Sequence, residues 1–235
     1  MLKITVTHNL DAVRRAFGVQ AKQVNFAAAV ALMRTAQDVQ RAIPAALEKA
    51  LDNPTEFTKR GTYIRPARRD RLESEVGFRP VQARYMALQI EGGTVQPTAA
   101  GIKLPGNIQL NAFGNIPRGT ISRLKAAAKD GSLGPAIAKR LSVQGNRRKG
   151  AAPIQLFYGQ PAGRGWENAP VGIWRRIPPA TPGGKGKLVP VVLFDQKPAR
   201  YRARFDFKAL AQATVDARFA AHFQAEFRKA IATAR

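Results

Sequence analysis

Val24, Ala27, Ala28, Ala31, Leu32, Thr35, Ala36 and Val39 recur at three- and four-residue steps. That period lines side chains along one face of an α-helix, and Phe26, Val30 and Met33 widen the face. The surrounding stretch, from about Leu10 to Leu51, is rich in Ala, Gln, Arg and Lys. Asn9 or Asp11 can cap its start, and Gly18 separates a short first helix from a longer second. Pro44 lacks an N–H donor and marks a kink or a new helix start. Asp52-Asn53-Pro54-Thr55 ends the helix.

A period of two appears elsewhere. Leu2, Ile4 and Val6 alternate with Lys3, Thr5 and Thr7, which predicts a short strand or extended arm. Thr62–Ala67 and Leu72–Phe78 read as two strands of a hairpin turning at Arg68-Arg69-Asp70-Arg71. In the second strand Leu72, Ser74, Val76 and Phe78 share one face, and Glu73 and Glu75 share the other. Arg84–Gly93 begins helical and ends in a Gly-Gly turn. Pro153–Gly159, Val171–Ile177 and Lys187–Phe194 read as further strands, the last being the most apolar.

Thr94–Gly150 breaks both periods with Gly, Pro and Asn. It predicts one helix near Thr120–Lys129, capped by Ser122 or Thr120, and a second short one over Gly134–Leu141. Ser142–Pro153 reads as a flexible basic loop. From Asp206 to Ala234 there is no Gly or Pro. Phe207, Leu210, Val215, Phe219, Phe223, Phe227 and Ile231 mark one stripe there, which predicts a long amphipathic helix packed on a sheet. Together these elements predict one α+β domain over 1–235. A mixed or antiparallel sheet packs against the long C-terminal helix and the N-terminal helices, and 94–153 forms a long irregular basic insertion.

Charge changes this picture. The chain of 235 residues carries 39 Lys and Arg against 15 Asp and Glu, for a formal charge of +24. Such a balance calls for a polyanion, an acidic protein partner or simply a low local charge density on a solvated basic face, and nucleic acid is the usual class of partner. Between Lys139 and Lys208 stand 15 Lys or Arg and three acids, Glu167, Asp195 and Asp206. There is no cysteine, which excludes disulfides, thiolate metal sites and a cysteine nucleophile. No apolar run approaches the roughly 20 residues that span a bilayer. The first residues lack a signal-peptide core, so folding in a cytoplasm is expected.

Motifs for chemistry are sparse. Thr181–Lys187 has the look of a phosphate loop but lacks its spacing and its Mg²⁺-binding hydroxyl residue, so it reads as a basic loop tip. Neither His8 nor His222 stands in a triad spacing, and His222 reads as a packing or rim histidine. Glu73, Glu75, Asp195 and Lys197 are the residue types of a metal-dependent nuclease, but their spacing is loose. No catalytic, metal or cofactor residue is therefore assigned. Arg147, Arg148 and Lys149, with Lys185 and Lys187, are the expected contacts to a phosphate backbone or an acidic partner.

The order of elements, rather than any one motif, carries a resemblance. Ala28–Leu51 with Asp52-Asn53-Pro54-Thr55, Tyr85–Gly93 (Tyr-x-Ala-x-x-Ile-Glu-Gly-Gly), Val191–Phe194 leading into Tyr201–Phe207, and the C-terminal helix carry it. In these the chain resembles the tail-completion and minor tail proteins of tailed bacteriophages and prophages, above all the minor tail protein Z group. The resemblance covers nearly the whole chain apart from about Thr94 to Pro153, whose long basic insertion departs from shorter members. It implies a non-enzymatic structural virion protein at the neck, made in the bacterial host cytoplasm and needing no cofactor. Such a protein forms a ring, commonly a hexamer, and completes the tail for head–tail joining. Its partners would be the connector or adaptor, the tail terminator or tail tube, with DNA as a further contact and no membrane. A ribosomal or nucleoid-type nucleic-acid-binding protein accounts for the charge equally well, and a metal-dependent nuclease is the third reading.

Overall fold

The computed structural model describes residues 3–7, 21–131, 141, 155–179 and 186–233. Its contacts divide the chain into two compact units, 1–93 with 200–235 and 94–199. The first is here the helical unit and the second the sheet unit. The expected α+β class is present, with helices, antiparallel sheets and a long C-terminal helix. The segment expected as an insertion supplies the first half of the sheet unit, which runs on through the strands of 155–195.

The helical unit starts with β1 (Lys3–Thr7) and α1 (Ala21–Ala50). The expected break at Gly18 and the caps at Asn9 or Asp11 lie outside the described residues. Pro44 neither kinks α1 into two helices nor starts a new one. Val39, Ile43 and Leu47, at four-residue steps across it, are all fully buried, and this packing holds the helix in phase. The helix stops before Asn53, a non-glycine residue with φ 47°. Thr55 then caps a single turn, α2 (Glu56–Lys59), by accepting the Thr58 N–H.

Next come β2 (Thr62–Arg65) and β3 (Glu73–Phe78), the expected hairpin. Arg68 and Arg71 exchange backbone hydrogen bonds of 2.8 and 3.1 Å across its turn. β3 is the middle strand of a three-stranded antiparallel sheet, between β1 and β2. That position corrects one expectation. Glu75, read as solvent-facing, is 4% exposed, because the middle strand is covered on both faces. The Tyr63 hydroxyl donates to its carboxylate, and Arg65 lies 3.7 Å away. Burial, then the hydrogen bond to Glu75, raises the Tyr63 phenol above its ordinary range.

α3 (Pro80–Ile90) has proline in its first turn, where the missing N–H costs nothing. It ends at Gly92, φ 73°, which lies against the backbone of Tyr201 and Ala203, where a Cβ has little room. β4 (Gly93–Val95) pairs with β9 (Ala199–Tyr201) as a small sheet of its own. The chain then enters α5 (Phe207–Ala232), whose cap Asp206 accepts the Ala209 N–H at 2.8 Å. Val39, Ile43 and Leu47 of α1, Val76 and Phe78 of β3, Met86 of α3, and Phe205, Phe207 and Ala211 share one core. Phe78 meets Phe207 edge-on at 5.4 Å.

α5 lies chiefly along α1. Ala31, Leu32 and Phe219 form the second core cluster of the unit. The helices run antiparallel, since Asp38 meets His222 while Arg34, one turn back on α1, meets Glu226, one turn on along α5. Alanines on α1 permit this close approach. The apolar stripe of α5 rotates near its end. Ile231, expected inside, is exposed, while Glu226 and Ala230 are buried.

The sheet unit holds β5 (Ile102–Pro105), α4 (Thr120–Asp130), β6 (Gln155–Gly159), β7 (Gly172–Ile177) and β8 (Lys187–Asp195). Its four strands pair antiparallel in the order β5-β8-β7-β6, with an irregularity between Ile173 and Trp174. α4 covers one face, burying Leu124 and Ala127 against Leu156, Ile173, Val192 and Phe194. The strands therefore do not continue the first sheet, as expected, because they have a helix of their own to bury against. The α4 cap is Gly119, φ 76°, and not Thr120 or Ser122; Thr120 is itself helical and buried. The short helix expected over 134–141 lies outside the described residues except for Leu141.

Candidate nucleic-acid and acidic-partner interface

Arg147, Arg148, Lys149 and Lys185 lie outside the described residues. Lys187 is the exposed first residue of β8, opposite Ile177 of β7. All five belong to the sheet unit, where 16 Lys and Arg stand against three acids. The described cations of that unit form no ion pair among the described residues. Glu167 instead accepts the Gly165 N–H at 2.9 and 3.0 Å, and Asp195 accepts the Lys197 N–H at 2.9 Å. The Glu167 backbone N–H, then that of Gly165, holds the Glu167 carboxyl below its ordinary value.

Two of these cations sit on aromatic rings. On the α4 side, Lys125 Nζ lies 4.4 Å from the Tyr158 ring centre and 5.0 Å from that of Phe194. Tyr158 is half exposed and meets Phe194 edge-on at 5.7 Å. Arg176, three residues on from Ile173 in β7, lies 5.9 Å over Phe157. Phe157 is paired with Trp174, which Trp166 meets edge-on at 5.5 Å. Lys125 beside the exposed Tyr158 ring brings a phosphate-binding charge next to an aromatic surface. Sequence reasoning counted Arg175 and Arg176 only as charge. Lys125 on α4 and Arg176 on β7 each meet a ring on β6, so no local sequence signal marked these contacts.

Arg175 behaves differently from its neighbour. Its guanidinium donates to Leu141 O at 2.8 Å and to Asn107 Oδ1 at 3.3 Å. Its Nε is buried with no partner, and burial lowers its pKa. An arginine stays charged even so, and here it acts as a strut for Leu141.

The residues of the nuclease constellation are divided between the two units. Glu73 and Glu75 belong to the helical unit, where Arg71 lies 3.0 Å from Glu73. Asp195 and Lys197 belong to the sheet unit and form a turn. Among the described residues no group of three or more His, Cys, Asp or Glu is placed to hold a metal ion. His222 meets Asp38 at 2.6 Å, a pairing that sequence spacing could not reveal across 184 positions. No described helix is long and apolar enough to cross a membrane. No family model, no curated protein and no solved structure matches the chain.

Proposed function

We propose that the protein is a non-enzymatic structural component of a tailed bacteriophage, at the neck or the top of the tail. It completes the tail and supports head–tail joining as a ring-forming adaptor, with a hexamer as the expected ring. Its neighbours are the connector or adaptor on one side and the tail terminator or tail tube on the other. The reading rests on one observation. Three of the segments that resemble the minor tail protein Z group, far apart in the chain, meet in a single core. Val39, Ile43 and Leu47 come from the first, Met86 from the second, and Phe205 and Phe207 from the third. The fourth, 191–194, lies in the sheet unit. A shared pattern that coincides with a core is what a common fold leaves in a sequence. The basic surface of the sheet unit then serves for contact with DNA or with an acidic neighbour.

Electron microscopy of lysates from a phage lacking this gene tests the proposal. Filled heads beside separate or abnormally ended tails are expected. Intact infectious particles would overturn it. The cations of the sheet unit that make no ion pair among the described residues favour one second reading, a nucleic-acid-binding protein of the cell. For that reading, tight DNA or RNA binding persists above physiological salt.

A further inference from the structure

The outer side of α1 carries a feature that neither core uses. Phe26, Val30 and Met33, at steps of four and three, form an apolar ridge about 10 Å long at 1.5 Å per residue. Phe26 is 39% exposed, and Val30 and Met33 are half-buried. Ala67 and the hairpin turn lie alongside, enclosing an open groove of about 380 Å³. Arg34, Arg68 and Arg69 rim it. The Arg69 guanidinium lies 4.7 Å over the Phe26 ring, and Arg34 is tethered to Glu226 at 2.7 Å. Arg68 and Arg69 make no ion pair among the described residues.

We infer that this groove docks an acidic amphipathic helix of a partner protein. The apolar floor matches a stripe of aliphatic side chains at helical spacing. The arginine rim matches carboxylates flanking that stripe, as bidentate partners of the guanidinium groups. A second copy of this chain fits poorly. It brings another +24 to a cationic rim, and six of its described acids, Asp38, Glu48, Glu56, Glu73, Glu75 and Glu226, are already engaged. Electrostatic complementarity here selects the partner, and the ridge fixes its register.

The probe is a fluorescein-labelled 14-residue peptide with leucines along one helical stripe, glutamates elsewhere, and a benzophenone in place of one leucine. It is titrated onto the full chain by anisotropy at physiological salt. Binding is expected, with crosslinks to 26–33 or 67–69. Met33→Asp and the double variant Arg68→Glu/Arg69→Glu should each weaken it at least about tenfold. Both arginines are exposed, so the double variant decides the matter should Met33→Asp fail to fold. Equal binding of a peptide with serines for leucines would overturn the inference, since charge alone would then suffice. So would unchanged binding to the double variant, crosslinks confined to another surface, or no binding. Sedimentation showing a dimer that Met33→Asp abolishes would assign the groove to a second copy and overturn it equally.

Discussion

In the helical unit 23 Lys and Arg face 12 acids, and in the sheet unit 16 face three. The net excess is similar, and both regions hold cations over rings, Arg65 and Arg69 in one and Lys125 and Arg176 in the other, but most of the described acids are used differently. In the helical unit the acids are used inside the fold. Glu226 is 7% exposed and takes Arg34 and Lys229, Asp38 takes Arg41 and His222, and Glu56 takes Lys59 and Arg60. Most of these pairs are partly solvated and contribute little each, but they neutralise charge in place. In the sheet unit Glu167 and Asp195 accept backbone N–H groups, and described cations lie on rings instead. Charge paired within a fold is unavailable to a partner. A cation held over an aromatic ring keeps its full charge, so Lys125 and Arg176 of the sheet unit stay open to an outside anion.

The comparison breaks first if the two units do not unfold separately. Leu47→Ala, at a fully buried position of the helical core, should cost about 2–5 kcal/mol. Urea unfolding followed by far-ultraviolet dichroism should show the loss. Both tryptophans, Trp166 and Trp174, lie in the sheet unit, so the fluorescence transition should stay in place. Coincident movement of both signals would make the units one cooperative body.

Charge availability is the next place to press. Replacing Lys103, Arg123 and Lys129, exposed cations of the sheet unit, by alanine should lower the salt-dependence slope of DNA binding by up to about 2.7. Replacing Arg41, Lys59 and Arg71 of the helical unit, each already paired, should change it far less. Equal slopes from the two triple variants would erase the distinction.

The smallest effect concerns Asp38. Burial alone raises its carboxyl, but the His222 hydrogen bond and the Arg41 charge outweigh this and hold it below the ordinary 3.8. A depressed carboxyl contributes stability that is fully present above its unfolded value and is lost as pH falls through the folded one. The unfolding midpoint of the natural protein should therefore drop on acidification below 3.8, and Asp38→Asn should drop less over the same interval. Parallel curves would remove the pair from the acid response of the helical unit.

Much of the architecture was legible because it follows from periodicity. The buried face of α1 from Val24 to Val39 is the one its spacing predicts, as is the hairpin around Arg68–Arg71. Where reading failed, a neighbour distant in sequence decided. Glu75 alternates like a surface residue, but it is buried where Tyr63 and Arg65 of the neighbouring strand meet its carboxylate. Ile231 continues the phenylalanine steps of α5, but Arg34 on α1 draws Glu226 inward instead. Pro44 ought to break α1, and the packing of Ile43 and Leu47 on either side outweighs the one lost hydrogen bond. The candidate interface was half legible. Its charge was countable, but the partners of Lys125 and Arg176 were not, since a ring on another element has no fixed sequence separation.

The amino-acid sequence by itself determined the local elements, the α+β class and the excess of positive charge, because helix and strand periods and formal charges are properties of short stretches. Tertiary structure alone decided that the strands divide into separate sheets and that, among the described residues, ion pairs form in the helical unit and not in the sheet unit. It also decided that Phe26, Val30 and Met33 are left at a groove rimmed by arginines. Those outcomes depend on which surfaces meet, and the free energy of burial and charge pairing is set by the neighbour as much as by the residue.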